Sequence, residues 1–387
     1  MEIQPHPILS VRIPIIIARW LLLAIGIAAG ALNSGCGGGG GANGIDPRAS
    51  GSTSVLYLAG IDGAVTQSIV AGSSDSPLIP SKISTGANPV AMIVSPDHHF
   101  AYVADASTNS VYQYSITSTG ALRPLSPTTV SLGSSGSPTD AVGDAGGNYL
   151  IVADTTSIIS LKVATDGSLT RSASIPAGQP TMSLATSGDL LFATFFSPSG
   201  NTLVSAGIRA NGSLSQAQAV PLPGVSAWDD LAISNDAVFI VRSGAGTNTG
   251  SIAAFSYLGN GSLSAIGSPL DGGNPGAAAV SASGHTVYAV DGPALRTVSV
   301  ESGKLVEVGV VALPISSPAS FTGPYIPAAP LNPVDSVLVD ATGGYVYTAE
   351  PNAWVMAVPF ANEIVAGTPS PIEASGTSST AAALFGR

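Results

Sequence analysis

The sequence predicts an all-β chain: a seven-bladed β-propeller of four-stranded antiparallel blades, closed by its C-terminal strand. Three observations predict it. First, charged residues occupy only 9% of the 387 positions, while 46 glycines and 29 prolines punctuate the chain. Long solvated helices draw on Ala, Leu, Glu and Lys, whereas Ser, Thr, Val and Gly suit strands joined by tight turns. Second, a glycine turn followed by leucine recurs at Gly120, Gly167, Gly212, Gly261 and Gly303, at intervals of 47, 45, 49 and 42 residues. Asp-Gly and Asn-Gly close hairpins with the right twist, and four strands every 40 to 50 residues is the period of a propeller blade. Third, the earliest strand matches the second strand of the repeat, not the first.

The elements follow in order. Residues 1–35 read as a signal peptide. Arg12 and Arg19 stand at the head of the apolar run 20–32, which is too short to span a bilayer and fits an h-region. Ser34 and Gly35 lead into Cys36, the single cysteine, so no intrachain disulfide is available. The segment resembles a bacterial lipobox, with Asn33 in a slot that is apolar in that pattern. The resemblance implies that Cys36 is lipidated and becomes the mature N-terminus. Residues 36–51 open with five glycines and read as a flexible tether. The expected location is the bacterial cell envelope, with the lipid anchor as the sole membrane contact.

Residues 52–387 read as the propeller. Its clearest repeat is 89–125: an apolar strand 90–94, a polar turn 95–99, a second strand 100–104 followed by Asp105, an alternating third strand 111–116, the Thr119-Gly120 turn, and a fourth strand from Leu122. Innermost strands start near Pro89, Pro138, Pro180, Trp228, Pro275 and Pro333, and the seventh is 380–385. Residues 55–59 match a second strand, so the C-terminal strand is expected to complete the blade they begin, which closes the ring and removes a raw sheet edge.

The stretch 100–116, with Tyr102-Val103-Ala104-Asp105 and the turn Thr119-Gly120-Ala121-Leu122, resembles the YVTN-type repeat of seven-bladed lactonase-like propellers. That group includes the propeller-type 6-phosphogluconolactonases and carboxymuconate-cyclising enzymes. The resemblance covers 52–387 and implies the fold and, as an activity, lactone hydrolysis. It also implies that a muconate-type site would draw on His, Arg and Glu in the mouth of the ring. Only Arg242 and Glu350 match those types there, and they are the candidate catalytic residues.

In such propellers the loops between second and third strands, and between blades, share one face, here termed the top. The second strands end there at Gly60, Asp105, Asp154, Phe195, Arg242, Asp291 and Glu350. The third residue of each inner strand adds Ala91, Asp140, Met182, Asp230, Ala277 and Asp335. Asp105, Asp140, Asp154, Asp230, Asp291, Asp335 and Glu350 are therefore candidate ligand- or cation-binding residues. One reading is that each Asp caps its own turn through backbone N–H groups. The other is an acidic mouth that holds a cation, with Ca²⁺ as the candidate, or a cationic or polyhydroxy ligand. Capping is the simpler reading.

His98, His99 and His285 fall in first-to-second strand turns, on the opposite, bottom face. Nucleophile elbow, P-loop and H-E-x-x-H motifs are absent from the sequence. Asn211-Gly212-Ser213 and Asn260-Gly261-Ser262 are hairpin turns as well as sequons. A net charge of −11, from 12 basic and 23 acidic residues, argues against nucleic acid, whose binding needs Lys and Arg to displace counterions. Trp228 is read as an inter-blade filler, and Phe321 and Tyr325 as rim staples in the Pro-rich segment 314–332. The reading as a whole is a monomeric cell-envelope module that binds a small molecule or an envelope partner. The alternative is a lactone hydrolase with an acidic or metal site.

Overall fold

A computed structural model describes residues 54–60, 62–71, 74–133, 135–222, 226, 229–244, 250–271, 273, 275–281, 283–291, 293–313, 336–340, 344–349, 354–373 and 379–385. Among them the strands form seven antiparallel sheets, each in the order inner, second, third, outer. The inner strands of blades two to seven are Pro89–Val94, Pro138–Gly143, Thr181–Ser187, Asp229–Ile233, Pro275–Val280 and Ser336–Asp340. Blade one takes its inner strand, Ser379–Phe385, from the C-terminal region and its second strand, Ser54–Gly60, from the opposite end of the fold. Their ladder runs from Val55 opposite Phe385 to Ala59 opposite Ala381. The closure expected from the repeat is thus present.

Proline lacks an N–H and is tolerated at the first residue of a strand, which explains Pro89, Pro138 and Pro275 at blade starts. In blades two, three, four and six the inner strand bulges one residue later. Blade four's strand begins at Thr181, one residue after Pro180. That later start places Ser183, not Met182, opposite Thr194 in the third-residue column.

The core lies between blades. Each apolar cluster joins two neighbours, as where Val90, Tyr102 and Val111 of blade two meet Leu150, Val152 and Ile159 of blade three. Strands buried on both faces need near-continuous apolar runs, and 100–104 and 149–153 supply them.

Polar side chains then lock blades onto the glycine turn of their neighbour. The Tyr102 hydroxyl donates to the Gly167 carbonyl at 2.9 Å, and Gln113 Oε1 accepts from the Leu169 N–H at 2.6 Å. Tyr57 and Gln67 make the same pair of bonds to Gly120 and Leu122. The recurrent Gly-x-Leu is therefore a docking surface as well as a hairpin. At Gly167 the φ is +81°, and a Cβ would lie 2.1 Å from the Phe100 ring, so only glycine fits.

Candidate functional site: the acidic mouth of the ring

The top face gathers the ends of the second strands. Asp105 and Asp154 are fully buried there. Asp105 Oδ1 accepts from the Thr108 N–H at 2.8 Å and the Ser107 hydroxyl at 2.6 Å, while Oδ2 accepts from the Asn88 N–H at 2.7 Å. Asp154 Oδ1 accepts from the N–H groups of Thr156 and Ser157, both at 2.6 Å. Both carboxylates close their own turns, as the capping reading expects. Each also sits against a glycine of the loop entering its blade. A Cβ at Gly86 would lie 2.0 Å from Asp105 Cγ, and one at Gly136 would lie 2.6 Å from Asp154 Oδ1.

Asp291 occupies the same column with a different partner. Arg296, on the third strand of blade six, donates to it at 3.0 Å and also reaches Glu307. Sequence reasoning missed Arg296, because its approach to Asp291 depends on strand register rather than on spacing along the chain. Arg242 ends blade five's second strand where other blades place Asp. This blade has no bulge at that point, so Asp229 stands directly opposite Arg242. Arg242 Nε donates to Asp229 Oδ1 at 3.0 Å, with both side chains buried. Asn201 from blade four donates to Asp229 Oδ2 at 2.7 Å. Arg242 balances charge within the ring through Asp229, a residue the repeat alignment did not select.

Asp140 and Asp230 lie on inner strands and join blades. Asp140 Oδ1 accepts from the Ala141 N–H at 2.7 Å, and Oδ2 from the Leu184 N–H of blade four, also at 2.7 Å. Asp230 repeats this arrangement with Leu231 of its own strand and Ala278 of blade six, at 2.9 and 3.0 Å. The Ser183 hydroxyl adds a bond to Asp230 at 3.2 Å. A buried carboxylate is costly unless hydrogen-bonded, and amide donors to an ionised acceptor make strong bonds.

Ser336 pairs with Ala349 at the corresponding point of blade seven. Asp335 and Glu350 lie outside the described residues, as do Cys36, Trp228, Phe321 and Tyr325. Among the described residues no three Asp, Glu, His or Cys side chains converge to hold a metal ion. His98, His99 and His285 sit in bottom-face turns, where His99 pairs with Asp97 at 3.1 Å. Of the sequence candidates, Asp140 and Asp230 are linked through blade four's inner strand, whereas Asp105, Asp154 and Asp291 each serve a separate blade.

No protein-family model matches the chain, and a search of curated proteins finds no match. Solved structures do resemble it. A candidate 6-phosphogluconolactonase from Bacteroides uniformis superposes with a TM-score of 0.66 at 16% identity, over 85% of this chain and 98% of that one. The periplasmic gluconolactonase of Pseudomonas aeruginosa gives 0.66 at 17%, over 86% and 98%. A candidate 6-phosphogluconolactonase from Bacteroides fragilis gives 0.64 at 14%, over 87% and 99%. At these identities the likeness is one of fold: the chain shares the seven-bladed propeller architecture of these structures.

Proposed function

We propose that this chain is a cell-envelope propeller, tethered through a lipidated Cys36, that acts as a ligand-binding or scaffold module without catalysis of its own. One observation carries the reading. Each described acidic side chain of the mouth is bonded to backbone N–H groups, hydroxyls or an arginine, and each described histidine stands on the other face. A lactonase needs a base to activate water and donors or a metal to stabilise the oxyanion. The described carboxylates serve turns and blade seams instead.

Lactone hydrolysis is the second reading, favoured by the shared fold of the gluconolactonase structures. It would place chemistry on Arg242 and Glu350, or on an acidic site that includes Asp335. The experiment is to incubate the purified full-length chain with δ-gluconolactone and 6-phosphogluconolactone and follow acid release. The binding reading expects no rate above spontaneous hydrolysis. Turnover abolished by Glu350→Ala or Asp335→Ala, at unchanged melting temperature, would replace it with the hydrolase. The cation question has its own readout: a melting temperature raised by Ca²⁺ and lowered by chelator would establish a metal site. Mass spectrometry of Cys36 from the native host tests the anchor, and an unmodified thiol would remove it.

A further inference from the structure

The seam between blades four and five is one of those without a tyrosine latch. At four seams a tyrosine of the second strand crosses to the next blade's third-to-outer turn: Tyr57 to Gly120, Tyr102 to Gly167, Tyr149 to Ala210 and Tyr288 to Glu363. Blade four carries Leu190 and Phe192 at the two positions that supply this tyrosine, as blade five carries Ala237 and Phe239, and blade four docks on the next glycine turn through Ser205 instead, whose hydroxyl donates to the Gly261 carbonyl at 2.6 Å. Tyr257 of blade five reaches back: its hydroxyl donates to the Ser234 carbonyl and accepts from the Ser187 hydroxyl at 2.7 Å, with its ring 4.8 Å from that of Phe192. On the bottom face of this seam a groove of about 500 Å³ opens beside Tyr257. This lies within the size range of small-molecule sites.

The groove's chemistry is mixed and electrically balanced. Asp189, Arg209, Gln216 and Asn235 line it with one anion, one cation and two amides, and their side chains make no hydrogen bond to other described residues. Tyr257 supplies the aromatic surface. Gly259 at the rim is informative. Its φ lies outside the left-handed region, and a Cβ there would meet no atom within 4 Å. Neither backbone conformation nor internal packing requires a glycine, yet it keeps the groove open. Next to it, Leu258 is 66% exposed, the most exposed of the described large apolar side chains.

We propose that this bottom-face groove is a binding site for a short neutral glycan, separate from the mouth of the ring. Carboxylate, guanidinium and amide groups offer donors and acceptors to ring hydroxyls. An aromatic ring with a polar tip suits a ligand that has one apolar face and one wet face. The balance of Asp189 against Arg209 selects a neutral ligand over a charged one.

The test titrates the purified full-length chain with maltose, cellobiose and N,N′-diacetylchitobiose, read by calorimetry and by saturation-transfer NMR. Binding of at least one disaccharide is expected. Gly259→Phe, which fills the groove where the fold leaves open space, and Asp189→Ala should each weaken it by roughly tenfold or more while the melting temperature holds. Binding unaffected by both substitutions would overturn the proposal, as would failure of all three sugars to bind at millimolar concentration. Neither result bears on lactone turnover or on the mouth, so this site and the proposed function stand or fall separately.

Discussion

Tyr102 shows how one side chain joins two blades: its ring packs in the core between them and its hydroxyl ends on the turn of the next. Tyr102→Phe should cost about 1–2 kcal/mol, the loss of one buried bond, and Tyr102→Ala about 3–5 kcal/mol, as should Tyr347→Ala, since that ring is also fully buried. Urea melts measure all three, and wild-type midpoints would undo the blade alignment. Glu363 offers a pH test. Partial burial acts to raise its pKa, but hydrogen bonds from Ser283, Ser281 and Thr286 outweigh this and hold it below its ordinary 4.5. A carboxyl with a depressed folded pKa contributes its full stability above the unfolded value and loses it as pH falls through the folded one. Wild-type melting temperature should therefore fall faster than that of Glu363→Gln as pH drops below 4.5, and parallel acid limbs would deny the effect. The capping roles of Asp105 and Asp154 were legible in the sequence, because a repeated Asp at a strand end implies a repeated turn. The ion pairs of Arg242 and Arg296 were not, because the sequence does not state which residue faces which across a ladder.

At the scale of the strand, the third-strand residue opposite position two of each second strand faces the preceding blade. It is Tyr114, Leu161 and Phe255 in blades two, three and five, but Ala206 in blade four. The missing volume leaves an apolar cleft of about 280 Å³ at the seam of blades three and four, lined by Ile158, Leu191, Phe195 and Val204 among others. Ala206→Leu should fill part of it and raise stability by about 0.5–2 kcal/mol, measured as a higher thermal midpoint; a lower midpoint would mean that the cleft cannot take the added carbons. Strand existence and order were readable from the alternation of apolar residues and from the glycine turns. The start of blade four's inner strand was not, because it lies one residue past its proline with no mark in composition. That is why Ser183 stands where Met182 was expected.

At the scale of the whole molecule, the ring depends on the ladder between Ser379–Phe385 and Ser54–Gly60. A chain ending at residue 378 would leave the buried side chains of Val55, Leu56 and Tyr57 without their partner strand. It should melt well below the intact protein and self-associate through the bare edge; size-exclusion chromatography and thermal melts measure both, and a monomer of unchanged midpoint would contradict the closure. That ladder has a temporal consequence. Six sheets are contiguous in sequence and can assemble as soon as their own residues emerge, but the remaining one joins Ser54–Gly60 to the distant Ser379–Phe385. Its early strands must wait, half-finished, until that later segment emerges, so a product terminated before it carries a defect that no local repair can mend.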